Sequence, residues 1–162
     1  MSKRLILMRH AKSDWTHGLE DHERPLNERG WQAAKLMGNW LKLNEYIPDE
    51  VLCSTATRIR ETLERLKLDI EASYSDTLYL AEPAQLLHAV KSAKGQTLLV
   101  IAHNPGIAYF AEQMAATPPD HPKFASHPTC ATTVLDFDVE GWADTAPGSG
   151  RVVDFIVPRD LE

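Results

Sequence analysis

Short apolar runs alternate along this chain with longer stretches in which apolar residues recur every three or four positions. Short apolar runs are typical of buried strands, and the longer spacing is typical of helices with one buried face. The pattern predicts strands at residues 5–8, 51–53, 97–102, 130–139 and 151–157, with a weaker strand at 72–74. It predicts helices at 27–43, 57–68 and 104–114, and another that begins at 83 and ends at Gly95.

Capping residues set the expected ends of these helices. Asn27 is a suitable N-cap for the first helix, and Pro83 suits the first turn of the third. Gly95 is expected to stop that third helix. Asn104 is expected to cap the last helix, with Pro105 in its first turn.

The order of these elements predicts an α/β fold. Strands that alternate with helices favour a parallel sheet covered by helices on both faces. The last two strands are joined by the turn-rich segment 140–150, which predicts an antiparallel hairpin at one edge. The expected architecture is a three-layer α/β/α sandwich in a single domain, residues 1–162, because no internal repeat is evident.

Composition narrows the possible functions. The chain has 162 residues, of which 43% are hydrophobic and 25% charged, with a formal net charge of −6. That charge argues against nucleic-acid binding, which needs a basic face. The two cysteines, Cys53 and Cys130, do not make a disulfide framework, and the apolar run 5–8 is too short for a signal peptide or membrane span. We therefore expect a cytoplasmic monomer that binds neither nucleic acid nor membrane.

Charged residues follow three of the predicted strands. Arg9 and His10 come directly after 5–8, Arg58 lies just beyond 51–53, and His103 follows 97–102. Parallel strands end at one edge of a sheet, where open α/β sheets bind ligands. We therefore expect these four side chains to converge.

The chemistry of this set favours a phosphate group. Arginines present forked donors that match phosphate oxygens. Lys12 and Ser13 could add further donors, although both are compatible with an ordinary loop. The set therefore predicts a site for a tetrahedral dianion.

Four stretches, "LMRHAKSDW", "DHERPLNERG", "CSTATRIRETLE" and "LVIAHNPGI", occur in this order along the chain. Together they resemble the motifs of the histidine phosphatase superfamily, and the compact chain resembles its SixA-type phosphohistidine phosphatases. The resemblance implies a phosphoglycerate mutase-like fold, with His10 as the nucleophile and Arg9, Arg58 and His103 completing the phosphate pocket. The first motif often reads Arg-His-Gly in this family, whereas Ala11 stands third here, a variation common in SixA-like members.

The resemblance implies attack by a neutral His10 imidazole on phosphorus, through a phosphohistidine enzyme intermediate that water hydrolyses. The neighbouring arginines would stabilise charge on the phosphoryl oxygens and disfavour the imidazolium form of His10. This scheme requires no cofactor and no metal. The loop 17–23 carries two histidines and three acidic residues, but its spacing matches no standard zinc pattern, so a solvated acidic loop is favoured.

The leaving group separates the possible substrates. An alkoxide needs a general acid, and the only nearby candidates by sequence are Glu82 and Asp76. Little room is left between Tyr74 and Pro83 for the insertion that carries this acid in larger members of the superfamily. Both points favour phosphohistidine on a partner protein. The alternatives are a phosphatase or mutase for a small phosphorylated metabolite, and a phosphate-binding module without turnover.

Several other residues are expected to have structural roles. Trp15 is expected either to line the rim of the pocket or to anchor its loop in the core. Cys53 is expected to be buried. Three histidines, His88, His121 and His127, are expected at the surface or in loops.

Overall fold

A six-stranded sheet runs through the centre of the structure, a computed structural model that describes residues 2–162. The strands are β1 (Lys3–Arg9), β2 (Glu50–Ser54), β3 (Ser73–Ser75), β4 (Thr97–Ala102), β5 (Thr132–Phe137) and β6 (Arg151–Ile156). Their order is β3-β2-β4-β1-β5-β6. The pairs among the first four strands are parallel, while β5 pairs antiparallel with both β1 and β6. This arrangement confirms the predicted mostly parallel sheet with an antiparallel C-terminal hairpin.

Helices cover both faces of the sheet. They are α1 (Glu28–Leu43), α2 (Thr57–Leu66), α3 (Pro83–Lys91) and α4 (Gly106–Met114). Alternate residues of β1 point to opposite faces, so that Leu5 and Leu7 pack with α3 and α4, and Ile6 and Met8 pack with α1 and α2. The predicted three-layer architecture is therefore confirmed.

The helix ends agree in part with the sequence. The Asn27 side chain accepts a hydrogen bond from the Gly30 N–H at 2.9 Å, as predicted for an N-cap. However, α2 ends two residues early, at Leu66, because Lys67 adopts a left-handed conformation (φ 56°) that closes the helix. In α3 the prediction of a stop at Gly95 is wrong, since the helix ends at Lys91.

The segment between α3 and β4 is held by a carboxylate rather than by helical hydrogen bonds. Glu50 accepts from the backbone N–H groups of Lys94 and Gly95, at 2.7 and 2.6 Å. These bonds satisfy the backbone in a non-helical turn and explain the early end of the helix.

Asn104 does not cap α4, contrary to the sequence prediction. Its side-chain amide donates instead to the backbone carbonyls of Ser126 and His127, at 2.9 and 3.1 Å. The helix begins at Gly106, and the carbonyl of His103 accepts from the Ile107 N–H at 2.9 Å. Asn104 therefore ties the loop around residue 127 to the end of β4.

The adjacent strands β1 and β4 form the switch point of the sheet. The chain leaves β1 toward α1 on one face, and it leaves β4 toward α4 on the other. A crevice opens where two such connections diverge, at the carboxyl ends of the strands. The His10 N–H donates to the Ala102 carbonyl at 3.2 Å, which fixes the two strand ends side by side. Within residues 2–162, none of the helices has the length and apolar character needed to cross a membrane.

Candidate active site

A cleft of about 480 Å³ lies at the carboxyl ends of β1, β2 and β4. All four residues predicted from the strand ends line it: Arg9, His10, Arg58 and His103. Arg58 lies between the two histidines, with its Nε 3.4 Å from His10 Nε2 and its Nη2 3.3 Å from His103 Nδ1. The two imidazole rings are 5.5 Å apart between centroids, so the cleft brings together the side chains that the topology predicts.

The hydrogen bonds of His10 fix its tautomer. Its Nδ1 lies 2.7 Å from the Ala11 carbonyl oxygen, which can only accept, so the ring proton is on Nδ1. The Nε2 faces the Nε–H of Arg58, which can only donate, and therefore presents its lone pair. Burial, reinforced by the charges of Arg58 and Arg9 and opposed by the Ala11 hydrogen bond, lowers the pKa of His10 to about 3. His10 is thus a neutral imidazole, with burial contributing more than the arginines.

His103 is also held in one tautomer. Arg58 donates to its Nδ1, so the proton is on Nε2, which donates to the Ser54 hydroxyl at 2.8 Å. Burial and the charge of Arg58 lower the pKa of His103 to about 3. Ser54, the last residue of β2, is therefore a positioning residue within the third motif.

Asp21 orients Arg58 from the loop between β1 and α1. Arg58 donates from Nη1 to the Asp21 backbone carbonyl at 2.6 Å and from Nη2 to its carboxylate at 3.0 Å. The same carboxylate accepts from Tyr79 and from Arg24. Burial raises the pKa of Asp21, but the hydrogen bonds from Tyr79, Arg58 and Arg24 outweigh that effect and hold it well below its usual range. Asp21 is therefore ionised.

Arg9 reaches the cleft from the end of β1. Its Nη1 lies 3.5 Å from the carbonyl of His127, the same carbonyl that Asn104 contacts. His127 lies in a loop, one of the two expected positions, but its side chain is fully buried. The reason is that its ring packs on Phe155 and bonds the Thr133 hydroxyl at 3.0 Å. The buried ring of His127 thereby fixes the backbone carbonyl that Arg9 contacts.

Lys12 and Ser13 both line the cleft, and Trp15 stands at its mouth. The Ser13 hydroxyl is bonded to the guanidinium of Arg24. That guanidinium is buried and packs on the Trp15 ring, 3.4 Å from its centroid. Trp15 is 75% exposed, so of its two expected positions the structure shows the one on the rim.

The carboxylates favoured by sequence lie elsewhere. Glu82 is exposed at the start of α3 and does not line the cleft, and Asp76 accepts from Thr55. Among residues 2–162, the one carboxylate that lines the cleft is Asp21. Two side chains of the loop 17–23 are engaged within the protein, since Asp21 binds Arg58 and His22 forms a hydrogen bond with Thr55. No group of three or more potential metal ligands is found in the described part of the chain.

Comparison with known proteins identifies the family. A sequence model of the histidine phosphatase superfamily (branch 1) matches residues 5–82. An uncharacterized protein of Mycobacterium tuberculosis strain H37Rv is 40% identical over 160 residues, covering 94% of this chain and all of that protein. Phosphohistidine phosphatase SixA of Escherichia coli K12 is 28% identical over 140 residues, covering 82% of this chain and 85% of SixA.

A solved structure agrees with the sequence matches. It comes from Nakamurella multipartitia and is assigned to phosphohistidine phosphatase SixA; it matches with a TM-score of 0.85 at 28% identity, covering 98% of this chain and 97% of that one. This chain belongs to the histidine phosphatase superfamily. Within that superfamily its structure is similar to the SixA type, and the family and structure together support phosphatase activity.

The buried histidines predict marked sensitivity to acid. His10, His103 and His127 each have a pKa lowered to about 3, chiefly by burial, against about 6.5 in an unfolded chain. Well above pH 6.5 they are neutral in both states and contribute no pH dependence. Below it the unfolded chain takes up protons that the folded protein excludes. The free energy of unfolding should therefore fall by up to about 4 kcal/mol per pH unit near pH 5.

Urea unfolding at pH 7, 6 and 5 measures this slope. His127→Asn removes one titrating group, and asparagine tolerates the left-handed conformation at this position (φ 45°). The variant should lose about a third of the slope. An equal slope in variant and wild type would contradict the assignment of His127 as neutral in the folded protein.

Proposed function

We propose that this chain is a metal-independent phosphohistidine phosphatase that acts on a partner protein, with Nε2 of His10 as the nucleophile. In the first step Nε2 attacks phosphorus, the P–N bond of the substrate breaks, and the substrate imidazole departs. Water then attacks the phosphorylated His10, releasing inorganic phosphate and restoring the imidazole.

The two arginines and the residues beside them each have a role in this scheme. Arg9 and Arg58 bind the phosphoryl oxygens and stabilise the charge that they carry in the transition state. His103, held by Ser54, accepts from Arg58 at Nδ1 and so positions that guanidinium for the phosphoryl group. Lys12 and Ser13 line the entrance and contribute positive charge and a hydroxyl there.

The proposal of phosphohistidine as the substrate depends on the protonation state of Asp21. It is the carboxylate that lines the cleft within residues 2–162, and its low pKa leaves it no proton to donate near neutral pH. An alkoxide leaves poorly without an acid. A protonated imidazole leaves readily, so the site is suited to phosphohistidine rather than to sugar phosphates.

A leaving-group series tests this proposal. We expect kcat/KM to be high for a phosphohistidine protein and for an aryl phosphate, and low for a sugar phosphate. Glu82→Gln should leave all three values nearly unchanged, because Glu82 lies outside the cleft. Asp21→Asn should lower all three by a similar factor, because it loosens Arg58 rather than removing an acid.

Other outcomes would change the conclusion. Comparable rates on all three substrates, with the sugar phosphate rate selectively lost in either variant, would identify that carboxylate as a working acid. The metabolite phosphatase would then replace the phosphohistidine phosphatase. Phosphate binding without turnover of any of the three would favour a binding module.

A further inference from the structure

Exposed apolar side chains lie in and beside the cationic cleft. Trp15 is 75% exposed and Leu80 is 53% exposed, and both line the cleft. Leu19, at 46% exposure, lines a small depression beside it together with Trp15, Asp21 and Arg24, three residues that also line the cleft. We call Trp15, Leu19 and Leu80 the apolar rim.

The aromatic member of the rim is held in place. The Arg24 guanidinium that packs on the Trp15 ring is itself fixed by Asp21 and Ser13. A ring that rests on a buried, hydrogen-bonded cation loses little further freedom when a partner covers it. Trp15 is therefore preorganised for contact even though most of its surface faces solvent.

Leu80 departs from two local rules at once. It is a leucine in the left-handed region (φ 51°), a conformation that is strained for a residue with a Cβ. Its apolar side chain is also left in contact with water. Strained residues of this kind cluster at ligand-binding positions, and a glycine or asparagine would be the relaxed choice for a purely structural turn.

The apolar rim and the cleft together indicate the chemistry of the ligand that binds there. The arginines match a phosphoryl group, and the rim matches apolar side chains next to it, whereas a sugar phosphate offers only polar surface there. Exposed Glu20 and Glu23 on the same loop, and the net charge of −6, disfavour an anionic membrane. We propose that the apolar rim binds apolar residues that flank the phosphohistidine on a partner protein. This inference rests on the proposed function.

Two peptides and one small molecule test the proposal. The peptides carry phosphohistidine with leucine on both sides or with serine on both sides, and phosphoramidate reports the chemistry alone. Wild type should favour the leucine peptide by about tenfold in KM with similar kcat, the scale of a good interface contact. Trp15→Ala and Leu80→Asn should each reduce this preference, and the double variant should abolish it, with phosphoramidate turnover unchanged.

The controls separate the possible failures. Leu43→Asn, at an 83% exposed position outside the cleft, should keep the full preference. Leu80→Asn keeps the left-handed turn, so it remains informative if Trp15→Ala is unstable. Equal KM values for the two peptides in wild type, or a preference that survives in the double variant, would overturn the role of the rim. Failure of wild type on both peptides and on phosphoramidate would instead overturn the proposed function.

Discussion

His10→Ala is expected to lower kcat by at least about a thousandfold, the scale seen when a nucleophile is lost. The reason is that the other neutral imidazole in the cleft, His103, has its ring centroid 5.5 Å from that of His10, so its lone pair lies in a different position. The measurement is steady-state turnover of a phosphohistidine protein and an aryl phosphate. Rapid acid-free quenching of wild type should also trap a phosphoenzyme that is stable to base and labile to acid.

The matched control for this variant is His88→Ala. His88 is exposed on α3 and lies outside the cleft, so its removal should leave kcat unchanged. If His10→Ala still formed the acid-labile phosphoenzyme, or kept more than about a tenth of the wild-type kcat, another residue would have to be the nucleophile.

Arg58→Ala should lower kcat/KM by about 10²–10³, as for the loss of a donor that stabilises the transition state. Its guanidinium is the element that links His10, His103 and Asp21, so the substitution removes the proposed phosphate ligand and the contact that orients both histidines. Arg58→Lys retains the charge but not the fork, and we expect it to recover only a small part of the loss. Titration of kcat/KM against pH distinguishes the two effects.

The pH profile of Arg58→Ala shows whether Arg58 also acts on the two histidines. Without the Arg58 charge, which lowers the pKa of both histidines, these pKa values should move up toward the ordinary range, although burial continues to hold them down. The acid limb of kcat/KM should therefore shift to higher pH in Arg58→Ala. A lower rate with an unshifted profile would show that Arg58 binds substrate without acting on the histidines. A variant with wild-type kcat/KM would remove Arg58 from the site.

The hydrophobic pattern of the sequence predicted the elements of the fold that depend on local sequence. The four helices, the strands that alternate with them and the C-terminal hairpin all appear where apolar spacing and turn residues predict them. The placement of Arg9, His10, Arg58 and His103 also followed, because parallel strands end at one edge. Helix ends were less predictable, since Glu50 and Lys67 act through tertiary contacts or backbone conformation that no local pattern encodes.

Asp21 shows what sequence reasoning missed in the site. It lies in a loop rich in charged residues, where a solvated carboxylate is the usual expectation, and its partners Arg58 and Tyr79 are 37 and 58 positions away. Only the folded chain brings them together. His127 was missed for a similar reason, because a proline-punctuated loop gives no sign that one of its side chains will be fully buried.

The hydrogen bonds of Arg58 fall into two classes by length. Those to Asp21 are 2.6 and 3.0 Å, while those to His10 and His103 are 3.4 and 3.3 Å. Under the proposed function, a phosphoryl oxygen that enters the cleft would compete for the longer pair and leave the shorter pair intact. The guanidinium can therefore change partners without changing its orientation, so little of the binding energy is spent on reorganisation at this residue. The loop that carries Asp21 would therefore keep the guanidinium oriented while substrate binds. The two imidazoles occupy hydrogen-bonding positions on Arg58 that the phosphoryl oxygens would take over.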